Sequence, residues 1–465
     1  MRRSEEEFKQ VVNIEGSANM TMHDADYLPS IEVTDPIVPV SSQPKVHKLE
    51  EGNVPPYRAI FLIANAALGA GLLNFPEAYK KAGGLQTAIT IQLVLLCFII
   101  GAFLIIARAC NRYQAPTYQE LILGILGPKF FWPLQIIIAI YFFGTAITYM
   151  IIIGDQLSPF FQFVTGESGK WYTNKKVLYT IFSLLFLLPL CLPRRLKLLS
   201  YTSFFGGIGA FFITFIIIYK HFYGGYSNHG PDEYTEVKSD WKSCLGVVPV
   251  ICFGFQCHVS SVAVYAELKN RSTKRFFICA CFAMLVCVLT YSLCGAFGFM
   301  TFGRKTKADI LQNYDDDDTL VNVARLAVVF ILLSSFAIIT FCARTVIDDI
   351  VVKIRKYNEH DQIRTERRRR VIETLLWFAF SLLLALVVPD IGAAISMIGG
   401  LAAFFIFVFP GFCLLKTINL DKIRLTKKDW ALVVVAIMYI AVGIFIFGET
   451  TTLAIQTDLK PRTIL

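Results

Sequence analysis

Apolar residues run along this chain in long stretches, separated by short polar and basic joints. About 20 consecutive apolar residues are needed to cross a bilayer as a helix. On that measure eleven runs qualify, at roughly 57–79, 86–109, 132–155, 177–193, 199–220, 244–267, 275–302, 320–346, 371–389, 391–415 and 429–449. The pattern predicts an all-α polytopic membrane protein with eleven transmembrane helices and the lipid bilayer as its surroundings. Composition agrees: of 465 residues 55% are hydrophobic and 17% charged, with 40 phenylalanines. One or two soluble cores could not hide that much apolar surface, whereas lipid can.

Residues 1–54 are polar and acidic, with Pro29, Pro36, Pro39 and Pro44 and no helical period. They read as a disordered cytosolic tail without a cleavable signal peptide, and 55–465 as the transmembrane domain. Short loops rich in Lys and Arg face the cytosol. That rule places "PRRLK" (193–197), "KNRSTKR" (269–275), "RTERRRR" (364–370) and "KIRLTKK" (422–428) inside. The acidic "NHGPDEYTE" (228–236) and "YDDDD" (314–318) fall on the opposite side, with the C-terminus. The net charge of +9 is thus an orientation signal and not a nucleic-acid footprint. The sequons at Asn19 and Asn270 fall on the cytosolic side, so no N-glycan is expected. Nearly all of the 12 cysteines lie within spans and read as small packing residues.

Two spans resist being plain helices. The stretch "NAALGAGLLNFPEAY" (65–79) sets Gly69, Gly71 and Pro76 inside the first run. Glycine weakens a helix, and proline cannot donate to a preceding carbonyl. The sixth run, "PVICFGFQCHVSS" (249–261), breaks at Phe253-Gly254-Phe255 and continues through Gln256 and His258. These two runs open two five-span blocks, 57–220 and 244–415. Interrupted helices at matching positions point to a transporter built from inverted repeats, inferred from spacing because no internal similarity is visible. At such breaks, backbone N–H groups favour an anion and freed carbonyls a cation or an ammonium group. An amino acid carries both charges. Candidate substrate contacts are therefore Gly69, Ala70, Gly71, Phe253, Gly254, Phe255 and Gln256, faced by Gly144, Thr145 and Thr148 of the third span.

The stretches "IANAALGAGLLNFPEAYKKAGG" (63–84), "IIIGDQ" (151–156), "ICFGFQCHVSS" (251–261), "ERRRRVIETLLWF" (366–378), "VVPDIG" (387–392) and "SMIGGLAAFFIFVFPGFCLL" (396–415) are long and ordered. Together they resemble the sodium-coupled neutral amino acid transporters of the amino acid/auxin permease group, from about residue 57 to 455. The likeness is greatest to the branch that exports glutamine and asparagine from the lysosome. It implies a LeuT-type 5+5 inverted repeat plus one helix. It also implies transport of L-glutamine, L-asparagine and related neutral amino acids, with a sodium ion or a proton as coupling ion and no other cofactor. Asn65 matches the family's first-helix asparagine associated with sodium. Ser335 stands where other members have a span-eight threonine, next to the hydroxyl of Ser334. By the LeuT-type pattern the carbonyls of Ala64 and Ala67 complete that site. Oxygens from two helices suit a hard cation.

Each of these residues has a plainer alternative. Asn65 and Gln256 could bridge helices, and Ser334 and Ser335 could bond their own i−4 carbonyls. Gly144, Thr145, Phe253 and Phe255 could be packing residues. His258 is either a core histidine or a proton-sensitive group. Arg367–Arg370 reads as an anchor where the ninth span enters the membrane, and Asp315–Asp318 as a solvated loop without calcium-loop spacing. Among function classes, a secondary active transporter leads. A non-transporting amino acid sensor acting through a cytosolic partner is second. An enzyme is excluded for want of His-Glu-x-x-His, Gly-x-Ser-x-Gly, a metal-ligand cluster or paired intramembrane aspartates.

Overall fold

The computed structural model describes residues 52–192, 199–226, 241–387, 391–418 and 426–459. The tail at 1–54, save for 52–54, lies outside them, as do both sequence loops 193–197 and 228–236 and most of 422–428. Within the described chain, Val54 pairs backbone to backbone with Leu268, its N–H bonding Glu267 O at 2.9 Å.

The first span is two helices, α1 (Pro56–Ala67) and α2 (Phe75–Lys81), joined by a 3-10 turn at Ala70–Asn74 and bent by 49°. The α-helix stops where Gly69 takes φ −130° and ψ −145°, outside the helical region. Pro76 sits in the first turn of α2, where its missing N–H has no intrahelical partner to lose. Gly84, at φ +138°, then turns the chain into α3 (Leu85–Tyr113) in a conformation only glycine adopts readily. A short α4 (Tyr118–Leu126), capped by the Thr117 hydroxyl, leads to α5 (Phe131–Thr165).

The fourth run lies two residues earlier than the sequence suggests. It is α6 (Lys175–Phe182), a π turn at Ser183–Leu187 and α7 (Leu188–Cys191), wound continuously. Pro189 lies at the seam, and a wide turn of this kind relieves the bonds a proline removes. The fifth span is α8 (Leu199–Tyr223). The sixth is again broken, into α9 (Trp241–Gly254) and α10 (His258–Glu267). Then follow α11 (Thr273–Phe302), α12 (Thr319–Arg355), α13 (Glu359–Val387), α14 (Ile391–Ala403), a second π turn at Phe404–Val408, α15 (Phe409–Thr417) and α16 (Lys427–Leu459).

Nine helical segments among the described residues are long and apolar enough to cross a membrane, ten with the bent pair. The run Lys175–Cys191 takes the place of the remaining predicted span. The chain thus forms two five-span blocks, each opening with a broken helix, and α16 packs outside them on α14 and α15. The two broken spans lie innermost: α9 and α10 are clasped by α14, α3 and α2. Where α14 crosses α9, Gly399 rests on the backbone of Pro249 with no room for a side chain. Large apolar residues such as Leu185, Phe215, Phe330 and Phe380 point outward, as lipid requires.

Candidate binding site at the two helix breaks

The two breaks meet. A Cβ placed on Gly71 would lie 2.9 Å from Gly254 Cα and 3.6 Å from Phe253 Cδ1, so the two backbones pass in contact. Tyr291 of α11 ties them together. Its hydroxyl lies 2.6 Å from Ala67 O and 2.8 Å from Gly254 O, two carbonyls that face away from their own helices at the breaks. The Tyr291 ring stacks on Phe75 at 4.1 Å between centroids, and Phe255 closes edge-on at 5.0 Å. Freed backbone groups at membrane depth must find partners in protein, water or ligand. Here one tyrosine hydroxyl, with a single proton to share, stands between the carbonyls of both breaks.

Gln256 lies just past the sixth-span break and is buried. Tyr141 of α5 donates to its Oε1 at 3.1 Å, while its Nε2 has no partner among the described residues. The amide is therefore anchored at its acceptor and free at its donor. Across the first break, the Tyr149 hydroxyl stands 3.2 Å from where a Cβ on Gly69 would be. Sequence reasoning chose Gly144, Thr145 and Thr148 as the facing wall of α5. The structure puts Tyr141 and Tyr149 there as well. Thr145 and Thr148 donate to the carbonyls four residues back, at 2.8 and 3.0 Å, and Gly144 packs against Ile398 of α14.

Of the candidate cation ligands, Asn65 and Ser335 are half-buried and make no hydrogen bond among the described residues. Asn65 Oδ1 turns toward α8, 2.6 Å from where a Cβ on Gly206 would sit. Ser335 is one turn beyond Ile331 and Leu332, which line a small apolar recess with Leu68, Gly69 and Ala70. Ser334 donates to Ile331 O, three residues back and not four, at 2.9 Å. The Ala64 carbonyl accepts the Leu68 N–H of its own helix at 2.8 Å, with Cys287 Sγ of α11 at 3.7 Å, while the Ala67 carbonyl meets the Tyr291 hydroxyl. The structure thus brings α12 against the first break, keeps the Ala64 carbonyl in its own helix and gives the Ala67 carbonyl to α11.

His258 is fully buried, stacked on Phe103 at 4.1 Å, with Nε2 3.4 Å from Ile99 O and Nδ1 unpartnered. It therefore faces α3 and not the first break. The aspartate run is more than a solvated loop: Asp318 caps α12 and pairs with Lys220, and Asp316 pairs with the buried Arg325. In the arginine run, Arg369 grips Asp348 and Arg370 reaches Glu366. The residues that sequence reasoning missed here are tyrosines inside apolar runs. A hydroxyl buried in lipid-spanning sequence is the signal that could have found them.

A family model described as "Transmembrane amino acid transporter protein" matches residues 54–455. The Xenopus laevis sodium-coupled neutral amino acid transporter 7 is 39% identical over 426 residues, covering 90% of this chain and 94% of that protein. The Homo sapiens protein of the same name is 39% identical over 417 residues, with 88% and 90% covered. The putative sodium-coupled neutral amino acid transporter 8 of Xenopus tropicalis is 35% identical over 407 residues, with 86% and 92% covered. Among solved structures, that of MhsT in complex with L-phenylalanine aligns with a TM-score of 0.52, covering 86% of this chain and 99% of that one. At 14% identity it speaks for the LeuT-type fold alone.

Proposed function

Because the chain belongs to the transmembrane amino acid transporter protein family, we propose that it carries polar neutral amino acids, glutamine and asparagine foremost, with a cation coupled to the movement. The family is one of transporters, and no enzymatic step enters the reading. Gln256 is the observation that supports this substrate class. Its Oε1 is held by Tyr141 and its Nε2 is a buried donor without a partner, beside two touching breaks. A buried donor of that kind costs free energy until it is met, and a side-chain amide oxygen of the substrate meets it. Gly69, Ala70 and Gly71 with Phe253, Gly254 and Phe255 hold the α-carboxylate and α-ammonium, the charges that broken helices suit.

Asn65 and Ser335 supply the cation side, with Ser334 and the carbonyls of Ala64 and Ala67 beside them. The side-chain oxygens of Asn65 and Ser335, which have no hydrogen-bond partner among the described residues, support this, as do the names of the relatives, which print sodium coupling. The excess of Lys and Arg in one set of loops supports a cytosolic N-terminus. Likeness to the exporting branch supports placement in the lysosomal membrane with flow toward the cytosol.

The test is flux of radiolabelled glutamine into proteoliposomes under imposed sodium or proton gradients. Uptake driven by one gradient and competed by asparagine but not leucine is the expected result. Saturable binding without flux would move the reading to a sensor. A sequon engineered into 228–236 should be glycosylated while Asn270 is not; glycan at Asn270 would invert the topology.

A further inference from the structure

The loop between α11 and α12 is attached to the broken first span and to α5 by polar contacts that transport chemistry does not use. Asn74, in the 3-10 turn of the first break, donates to Ala308 O at 2.7 Å. Lys80 of α2 reaches Thr306 O. Arg325 of α12 donates to Leu311 O and Tyr314 O at 3.1 and 3.2 Å. At the centre, Asp309 is almost wholly buried, and Gln156 of α5 donates from Nε2 to its Oδ2. The Leu311 N–H donates to Asp309 Oδ1 at 3.0 Å.

One atom is left over. Gln156 is also almost wholly buried, and its Oε1 has no donor. The amide that places Nε2 on one carboxylate oxygen carries Oε1 beside it, and an ionised carboxylate has no proton to offer. A neutral carboxylic acid does. An acid and a primary amide then pair through two bonds, the acid O–H to the amide oxygen and the amide N–H to the acid carbonyl. We propose that Asp309 and Gln156 form a proton-binding site that latches the 306–314 loop onto the first break and α5.

The surroundings favour the neutral acid. From α5, Asp155 adds a negative charge, itself paired with Lys175 at the start of α6, where Tyr179 also faces it. From α11 comes the neutral Cys294 thiol, and from the first break and α2 come Asn74, Glu77 and Lys80. Among the described residues, Arg325 on α12 is a cation that acts on Asp309, and it is committed to Asp316 and two carbonyls. Burial first, and the Asp155 carboxylate second, push Asp309 up to about 7.

The sign follows from the two states of the loop. Released into water, Asp309 returns to the ordinary aspartate value of about 4. The latched state therefore binds the proton more tightly. The latch is at full strength below about 4, weakens by up to about tenfold per pH unit, and reaches its weakest above about 7. Acid closes this end of the molecule, and neutral pH loosens it.

The inference stands apart from substrate and coupling ion, so its test needs neither. Hydrogen exchange of residues 306–314 is followed in the full-length protein at pH 4.5 and 7.5, corrected for the intrinsic rates. We expect protection at least about tenfold greater at pH 4.5. Asp309→Asn, which keeps the shape but cannot ionise, should be protected alike at both. Equal protection of the wild type at the two pH values overturns the proposal, and so does a variant that keeps the wild-type pH dependence. The wild-type arm alone decides the matter should the variant fail to fold.

Discussion

The two breaks in this molecule are built differently. The first has a 3-10 turn at Ala70–Asn74 between its halves and leaves polar atoms without partners among the described residues, at Asn65 and at Ser335 nearby. The sixth is abrupt, passing from Gly254 to His258 through three residues wrapped in aromatic rings, with Gln256 Nε2 and His258 Nδ1 without partners among the described residues. A long, oxygen-bearing break suits an ion, whose position several ligands must share. A short, greasy break with one fixed amide suits a side chain that must be read. The breaks touch at Gly71 and Gly254, so neither backbone can shift there without meeting the other.

Closing that contact should have the largest effect. Gly71→Ala puts a methyl 2.9 Å from Gly254 Cα, a backbone atom that cannot swing away. Overpacking of this kind costs about 1–3 kcal/mol, and flux should be lost even where the protein reaches its membrane. Gly207→Ala meets nothing within 4 Å and serves as the control that should transport normally. Equal flux from both variants would separate the breaks and undo the comparison.

The ion side comes next. Each neutral oxygen contact to a charged group is worth about 1.5–3 kcal/mol, or about 10–150-fold in affinity. Asn65→Ala and Ser335→Ala should each weaken cation activation by that order. The double variant should fall short of the sum, because ligands of one site couple. Glutamine flux against sodium concentration at fixed pH measures all four proteins. Additive losses would place the two residues in separate roles.

On the sixth-span side, Gln256→Leu should weaken glutamine transport by about tenfold more than alanine transport. Competition assays read the ratio directly, and an equal loss for both substrates would make Gln256 a structural bridge to Tyr141. The smallest effect belongs to His258→Gln. Its ring stacks on Phe103 and faces α3, away from the first break, so the pH profile of flux should not change. A changed profile would restore it as a proton-sensitive group.

Much of this was open to reading from the chain. The broken spans were visible because Gly69, Gly71, Pro76 and Gly254 are costly in a lipid-buried helix, whatever surrounds them. Their pairing followed from equal spacing in two blocks. Tyr141, Tyr149, Tyr291 and Asp309 were not singled out, because a tyrosine or an aspartate carries no mark of its partner. The partners of Tyr291 are some 220 and 37 positions away along the chain.

What the sequence determined by itself is what depends on local cost. Apolar runs must lie in lipid, helices must stop at glycine and proline, and charged joints must stay in water. Those terms are paid residue by residue and need no knowledge of neighbours. Tertiary structure alone decided which freed carbonyl met which hydroxyl, why Ala67 turns to α11, and how Asp309 came to rest on Gln156. Hydrogen bonds are short and directional. Whether one forms is settled only when distant segments are packed to within an ångström, which no single stretch of sequence records.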